Sequence, residues 1–202
     1  MVVKKPDGYV AGNVTRNLSG NFETMNNKII ELHNRKRVND FLSAYHYLGK
    51  LPIWKIAFGL LSEENDIELI GVVVIGLPLS RYLMKEKYLE IRRLCLHNAP
   101  KNSGSFLIGY ALRWCKKNGY NKVVTYADPS VGHEGKIYLA ANFKMDGYTS
   151  GGSWKGKNRE NRQVRYTGKK IRFIWINPRK DAQKTIYTTD EDVVVAEISK
   201  LG

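Results

Sequence analysis

Leu89-Glu90-Ile91-Arg92-Arg93-Leu94-Cys95-Leu96 is the stretch whose reading decides the fold. Apolar residues at 89, 91, 94 and 96 alternate with polar ones except for one break near Arg93, the pattern of a strand carrying a bulge or distortion. His97-Asn98-Ala99-Pro100-Lys101-Asn102-Ser103-Gly104-Ser105 follows, a polar loop whose small residues let backbone approach a ligand. Phe106, Leu107, Tyr110, Ala111 and Trp114 then recur at helical spacing, so a helix begins beside Ser103, Gly104 and Ser105. Amides in a first helical turn lack intrahelical acceptors, and together with the helix dipole they favour a bound phosphate. Asn118-Gly119 supplies a left-handed stop, and Tyr120 to Tyr126 reads as a buried strand ending at Ala127-Asp128-Pro129. With a short helix over Gly135 to Asn142, the run from Leu89 to Tyr148 becomes a strand, loop, helix, strand, helix, strand unit suited to a phosphate-bearing cofactor.

Upstream, Lys28 to Leu32 is a candidate first strand, and Asn39-Asp40 is positioned to cap a short helix that includes Phe41, Leu42 and Tyr45. That helix delivers His46-Tyr47-Leu48-Gly49 at its end. Lys55 to Leu61 and Glu68 to Gly76 read as a hairpin across the acidic turn at 62–66. Downstream, Val164 to Ile176 reads as two strands turning at Thr167-Gly168-Lys169-Lys170. The order predicts an α/β domain, a mixed central sheet flanked by helices, over residues 28–150. Around it lie an N-terminal arm at 1–27, a basic aromatic segment at 151–184 and a tail at 185–202, whose Val193-Val194-Val195 run suits an edge strand or a partner-binding extension.

At 202 residues with 43% hydrophobic content, the chain can bury a core in one principal domain. No apolar run approaches the roughly 20 residues that span a bilayer, and Val2 to Tyr9 lacks the apolar centre of a signal peptide. A soluble, intracellular protein with no membrane partner is the expectation. Cys95 and Cys115 have neither metal-finger spacing nor a disulfide framework and read as reduced, partly buried thiols.

The formal charge is +14, and between Gly151 and Lys184 eleven Lys and Arg face only Glu160 and Asp181. Trp154, Tyr166, Phe173 and Trp175 interleave with those cations, which suits a polyanion: cations displace counterions from phosphates while aromatics stack on bases. A solvated charged edge is the bland alternative. His133-Glu134, between Gly132 and Gly135, reads as a solvated loop before a helix or as a catalytic lip. Arg92 and Arg93 alternate across their strand, and an ion pair would account for either.

The strand, loop and helix order over residues 28–150 resembles the GNAT acyl-coenzyme A transferases. In that fold, splayed central strands admit the pantetheine arm and amides at the helix start receive the pyrophosphate. The resemblance implies an acetyl-coenzyme A or related donor held by Arg93, Leu94, Ser103, Gly104 and Ser105. Here the family's Gln/Arg-x-x-Gly-x-Gly/Ala loop is replaced by Asn98 to Ser105, with Gly104 its one permissive glycine.

His46-Tyr47, Glu90 to Leu94, Asn98, Ser103, Tyr126-Ala127-Asp128, Gly135, Tyr138, Ala140-Ala141 and Gly147-Tyr148 together resemble the phage Mom family of GNAT-related DNA modification proteins. That resemblance implies conversion of adenine in double-stranded DNA to an N6-methylcarbamoyl derivative, which protects phage DNA from restriction in the cytoplasm of the infected cell. It also implies active-site roles, with iron, for His46, Tyr47, Asp128 and Tyr138. Ser103 is the counterpart of the family's cofactor-loop serine, with Ser105 the alternative. Imidazole, carboxylate and phenolate are chemically able to ligate iron. The residues alone leave plainer roles open: His46 ending a helix, Asp128 supporting the turn before Pro129, and Tyr47 and Tyr138 packing with polar tips exposed.

Adenine N6 inside stacked duplex is hard to reach, so a base modifier of this kind extrudes its target nucleotide. Tyr47, Tyr148 and Trp154 are candidates to hold the base. Trp154, Lys155, Lys157, Arg159, Arg162 and Arg165 are candidates for contact with DNA, and homodimerisation is an open alternative. The competing functions are an ordinary GNAT acyltransferase acting on a protein or small amine, and a noncatalytic DNA-binding descendant.

Overall fold

A computed structural model gives the fold and describes residues 14–16, 22–24, 28–64, 67–153 and 166–178. Its elements in chain order are β1 (Val14–Arg16), β2 (Phe22–Thr24), β3 (Ile29–Glu31), α1 (Arg35–Tyr45), β4 (Ile56–Leu61), β5 (Leu69–Gly76), α2 (Arg81–Lys85) and β6 (Leu89–Leu96). Then come α3 (Ser103–Lys117), β7 (Lys122–Ala127), α4 (Lys136–Ala140), β8 (Lys144–Tyr148), β9 (Gly152–Ser153), β10 (Tyr166–Thr167) and β11 (Ile171–Ile176). Hydrogen-bonded neighbours run β3-β4-β5-β6-β7-β11-β8, and β6 pairs with β7 in parallel while β3-β4, β4-β5 and both partners of β11 are antiparallel. The sheet is therefore mixed. By contact the chain divides into one unit of Met1–Leu77 with Ile91–Leu112 and another of Pro78–Glu90 with Arg113–Gly202.

In the first unit, β4 and β5 form the expected hairpin, with register from Ile56↔Ile75 to Leu61↔Leu69. Every residue of β4 and nearly every residue of β5 is buried, as near-continuous apolar runs covered on both faces require. The core gathers Val38 and Leu42 from α1, Leu51 and Trp54 from the following loop, and Val72 and Val74 from β5. Burying each large side chain contributes about 1.5–3 kcal/mol. The expected cap at Asn39-Asp40 is corrected, because α1 begins earlier and Asn34 caps it, its side chain accepting from the Arg37 N–H at 3.1 Å. Arg35-Lys36-Arg37 are good helix formers, so the helix extends back to the first residue that can cap it. Asn39 instead lies within α1 and accepts from the Leu51 N–H at 2.9 Å, tying the loop after the helix back onto it.

In the second unit, β11 pairs with β7 from Ile171↔Ala127 to Ile176↔Lys122 and with β8 on its other side. This corrects the expected hairpin, since β10 pairs with β9 rather than with β11. Strand alternation also turns Phe173 inward, where it is 1% exposed, so it is core and not one of the base-stacking aromatics expected of the basic segment. The parallel register of β6 with β7 holds at Leu89↔Val123 and Glu90↔Val124. Within the expected N-terminal arm, β1 and β2 pair antiparallel. Residues 154–165 and 179–202, which include Trp154, Lys155, Lys157, Arg159, Arg162, Arg165 and the Val193-Val194-Val195 run, lie outside the described residues.

Candidate active-site elements

His46 and Tyr47 sit where α1 ends. The His46 N–H closes the helix on the Leu42 carbonyl at 2.9 Å, and its own carbonyl accepts from the Gly49 N–H at 2.7 Å, with Gly49 at φ +60°. The imidazole Nδ1 accepts from the Leu48 N–H at 3.0 Å, which in the neutral ring places the proton on Nε2. Its ring stacks on Tyr47, with centroids 4.8 Å apart, and Tyr47 is 42% exposed. The pair is thus an oriented imidazole beside an accessible phenol.

The loop expected to meet a phosphate is bent by Asn98 (φ +51°) and Asn102 (φ +69°), both in the left-handed region that Asn tolerates better than other side chains. His97 stacks on Tyr45 at 3.7 Å between centroids, a partner that sequence spacing did not reveal. At the start of α3 the Ser105 hydroxyl donates to the Asn102 carbonyl at 3.0 Å and the Ser103 N–H donates to the Pro100 carbonyl at 3.2 Å. Ser103 is fully buried, yet its Oγ has no hydrogen-bond partner. Leaving a buried hydroxyl unpaired costs about 1–3 kcal/mol, so folded proteins seldom do so without reason. Of the two serines, Ser103 is the one whose buried hydroxyl is left without a partner beside the first-turn amides, whereas the Ser105 proton is already committed. Arg93 and Leu94 are half-buried on β6, and Arg93 Nη1 donates to the Arg92 carbonyl at 2.7 Å.

Asp128 and Tyr138 belong to the second unit. Asp128 follows β7 and caps a single 3-10 turn at Pro129–Val131, Oδ1 accepting from the Ser130 N–H at 3.1 Å and from the Ser130 hydroxyl at 2.5 Å. Its Oδ2 lies 3.8 Å from Lys170 Nζ. Burial opposes the charge, but the two Ser130 bonds, Lys170 and His133 outweigh it and hold the carboxyl below its ordinary range. Lys170 escaped sequence reading because only the β7–β11 register brings it beside Asp128. Tyr138 is half-buried as a residue, with its ring against Phe143 and Phe173 at 5.8 and 5.6 Å between centroids. Enclosure of its hydroxyl end pushes the phenol up, more than a hydrogen bond with buried Thr125 lowers it. Gly135 (φ +81°) makes this seat possible, since a Cβ there would meet Phe173 at 2.2 Å. Tyr148 is 63% exposed on β8, and the Glu134 carboxylate is held by Lys136 at 2.7 Å on the surface.

These commitments do not fit the implied iron. Asp128 is engaged by Ser130 and Lys170, and the Nδ1 lone pair of His46 is used by Leu48. Among the described residues no group of three or more His, Cys, Asp or Glu is placed to hold a metal.

A family model described as the Mom protein family matches residues 27–186. The chain belongs to the Mom protein family. The matched span takes in both candidate pairs, one in each unit, and the loop at Ser103. No curated protein matches this Mom-family sequence. Among solved structures it is similar to a Bacillus subtilis acetyltransferase in complex with CoA, at 14% identity and TM-score 0.51, over 74% of this chain and 98% of that one. A GNAT superfamily phosphinothricin acetyltransferase from Sinorhizobium meliloti, in complex with AcCoA, matches at 12% identity and TM-score 0.52, over 76% and 89%. The ribosomal-protein-S18-alanine N-acetyltransferase of Escherichia coli matches at 9% identity and TM-score 0.51, over 75% and 94%. The Mom-family chain thus has the GNAT acetyltransferase fold, a mixed seven-stranded sheet with flanking helices. Among the described residues no helix is long and apolar enough to cross a membrane.

Proposed function

We propose that this protein modifies adenine in double-stranded DNA at N6 with an acyl-type group drawn from a coenzyme A donor, as a phage-type defence of DNA against restriction inside the infected cell. The observation that carries the reading is the span of the Mom family model, residues 27–186. The donor class is supported by the buried, unpartnered Ser103 hydroxyl at the start of α3, in a fold shared with acetyltransferases in complex with CoA and AcCoA. Phosphate oxygens of the donor would accept from that hydroxyl and from the Gly104 and Ser105 amides.

Adenine N6 is a poor nucleophile because its lone pair is delocalised into the ring, so the reaction needs an activated electrophile or a proton acceptor. One candidate is His46, whose Nε2–H could polarise a carbonyl oxygen in the tautomer that the Leu48 amide favours. Another, considered by itself, is Asp128, a carboxylate held below its ordinary range that could stabilise a developing positive charge or take a proton. Transfer of acetyl alone would leave N6-acetyladenine. The N6-methylcarbamoyl product we favour has a nitrogen between methyl and carbonyl and so requires a different or further-processed acyl group.

Mass spectrometry of nucleosides from cells expressing the full chain tests this without assuming the donor. A modified adenosine dependent on Asp128 is the expected result. Unmodified DNA together with folded protein that turns over acetyl-coenzyme A in the absence of DNA would replace the reading with an ordinary acyltransferase. Salt-sensitive DNA binding with no altered base would leave a noncatalytic binder.

A further inference from the structure

The loop between His46 and β4 presents a stiffened apolar tip with cations around it. Ile53 is 71% exposed, yet its flanks are pinned, with Leu51 4% and Trp54 8% exposed. Arg35 Nη1 donates to the Pro52 carbonyl at 2.9 Å and its guanidinium lies 5.0 Å from the centroid of the Trp54 ring. Arg92 Nη1 reaches the Ile53 carbonyl at 3.5 Å. The Leu51 N–H is held by Asn39 and the Lys55 N–H by the Ile75 carbonyl at 2.8 Å. Arg35 and Arg92 thus reach the successive carbonyls of Pro52 and Ile53 beside a solvent-facing side chain, and Lys50 and Lys55, both exposed, stand on either side.

We infer that Pro52-Ile53 is a wedge that enters the base stack of duplex DNA, with Arg35, Arg92, Lys50 and Lys55 facing the adjoining phosphates. The charge around the tip selects a polyanion, and the apolar side chain selects one with a hydrophobic interior, which duplex DNA offers between its base pairs. A backbone pinned on both flanks can push Ile53 into the stack without first losing conformational entropy. The inference rests on the proposed DNA-modifying function and gives it a means of extruding the target: the wedge fills the space left by a flipped nucleotide.

The test uses the full chain, without donor, on a nicked plasmid that is then sealed by ligase and deproteinised. Because a wedge unwinds the duplex, wild-type protein should shift the topoisomers, whereas Ile53→Ala at equal occupancy should shift them at least about threefold less, since truncation leaves the stack closed. Ile53→Leu should retain the effect. So should Leu79→Ala, which removes an apolar side chain 77% exposed elsewhere. Circular dichroism melts check that Ile53→Ala is folded. Unchanged unwinding by Ile53→Ala, equal loss by Leu79→Ala, or no binding to DNA would overturn the wedge. Adenine modification without unwinding would overturn the wedge and leave the functional reading standing. Ile53-dependent unwinding without modified adenine would support the wedge and remove the enzymatic reading.

Discussion

Gly135→Ala tests how α4 and its tyrosine are seated in the second unit. The added methyl would meet Phe173 Cζ at 2.2 Å and Cε2 at 2.3 Å, distances no real Cβ tolerates, and the backbone there has φ +81°. Left-handed strain for a non-glycine residue costs about 1–2 kcal/mol. Overpacking a filled core adds about 1–3 kcal/mol, because Phe173 has no solvent to retreat into. Gly132→Ala supplies the control: its φ is +79°, but nothing lies within 4 Å of the added carbon, so it carries the strain alone. Urea unfolding of both variants should therefore give Gly135→Ala the larger loss by about 1–3 kcal/mol, with an unchanged denaturant slope. Phe173→Leu in the Gly135→Ala background should recover part of that difference in a double-mutant cycle. Equal destabilisation of the two alanine variants would refute the argument that Phe173 excludes a side chain at Gly135.

Four further outcomes follow from named contacts and from burial. Ser103→Ala should leave stability unchanged or raise it by up to about 1–3 kcal/mol, since it removes an unpaired buried hydroxyl, while weakening coenzyme A binding in calorimetry; unaltered affinity would take Ser103 out of the donor site. Asp128→Ala should abolish adenine modification, keep most DNA affinity and cost about 0.5–2 kcal/mol through the lost cap. The folded Asp128 carboxyl titrates below its unfolded value of about 3.9, so its stabilisation is complete above that value and disappears as pH falls through the folded one. Asp128→Asn should flatten this acid limb in unfolding midpoints measured against pH, and an identical limb would reject the stabilisation of the carboxylate by Ser130, Lys170 and His133. Burial pushes the Cys95 thiol up to about 11 and the Cys115 thiol up to about 12, so neither should react with iodoacetamide at neutral pH until urea exposes them, and rapid labelling of folded protein would contradict that burial.

Local chemistry made much of this protein legible in its sequence. The apolar runs of β4 and β5, the largely alternating pattern of β6 and the helical spacing of α3 are short-range signals, and each produced its element. The helix over Ser103–Lys117 and its stop at Gly119, with φ +81°, follow from spacing and from glycine's access to left-handed backbone. His46 and Asp128 were identifiable as element-end residues by the same logic, and the spaced pattern around them pointed to the family that the match over residues 27–186 shows. The cap expected at Asn39-Asp40 falls at Asn34 instead, while Asn39 is taken up by Leu51, twelve residues away.

Only tertiary structure decided what each candidate side chain is committed to. Lys170 reaches Asp128 through strand register, Thr125 meets Tyr138 across an element boundary, and Phe173 leaves the basic surface for the core because its strand is paired on both sides. The sequence by itself determined the elements and the chemical repertoire, since those depend on neighbours a few residues apart. Burial and long-range pairing set the protonation of Tyr138 and bring Lys170 to Asp128, and no spacing along the chain encodes them directly.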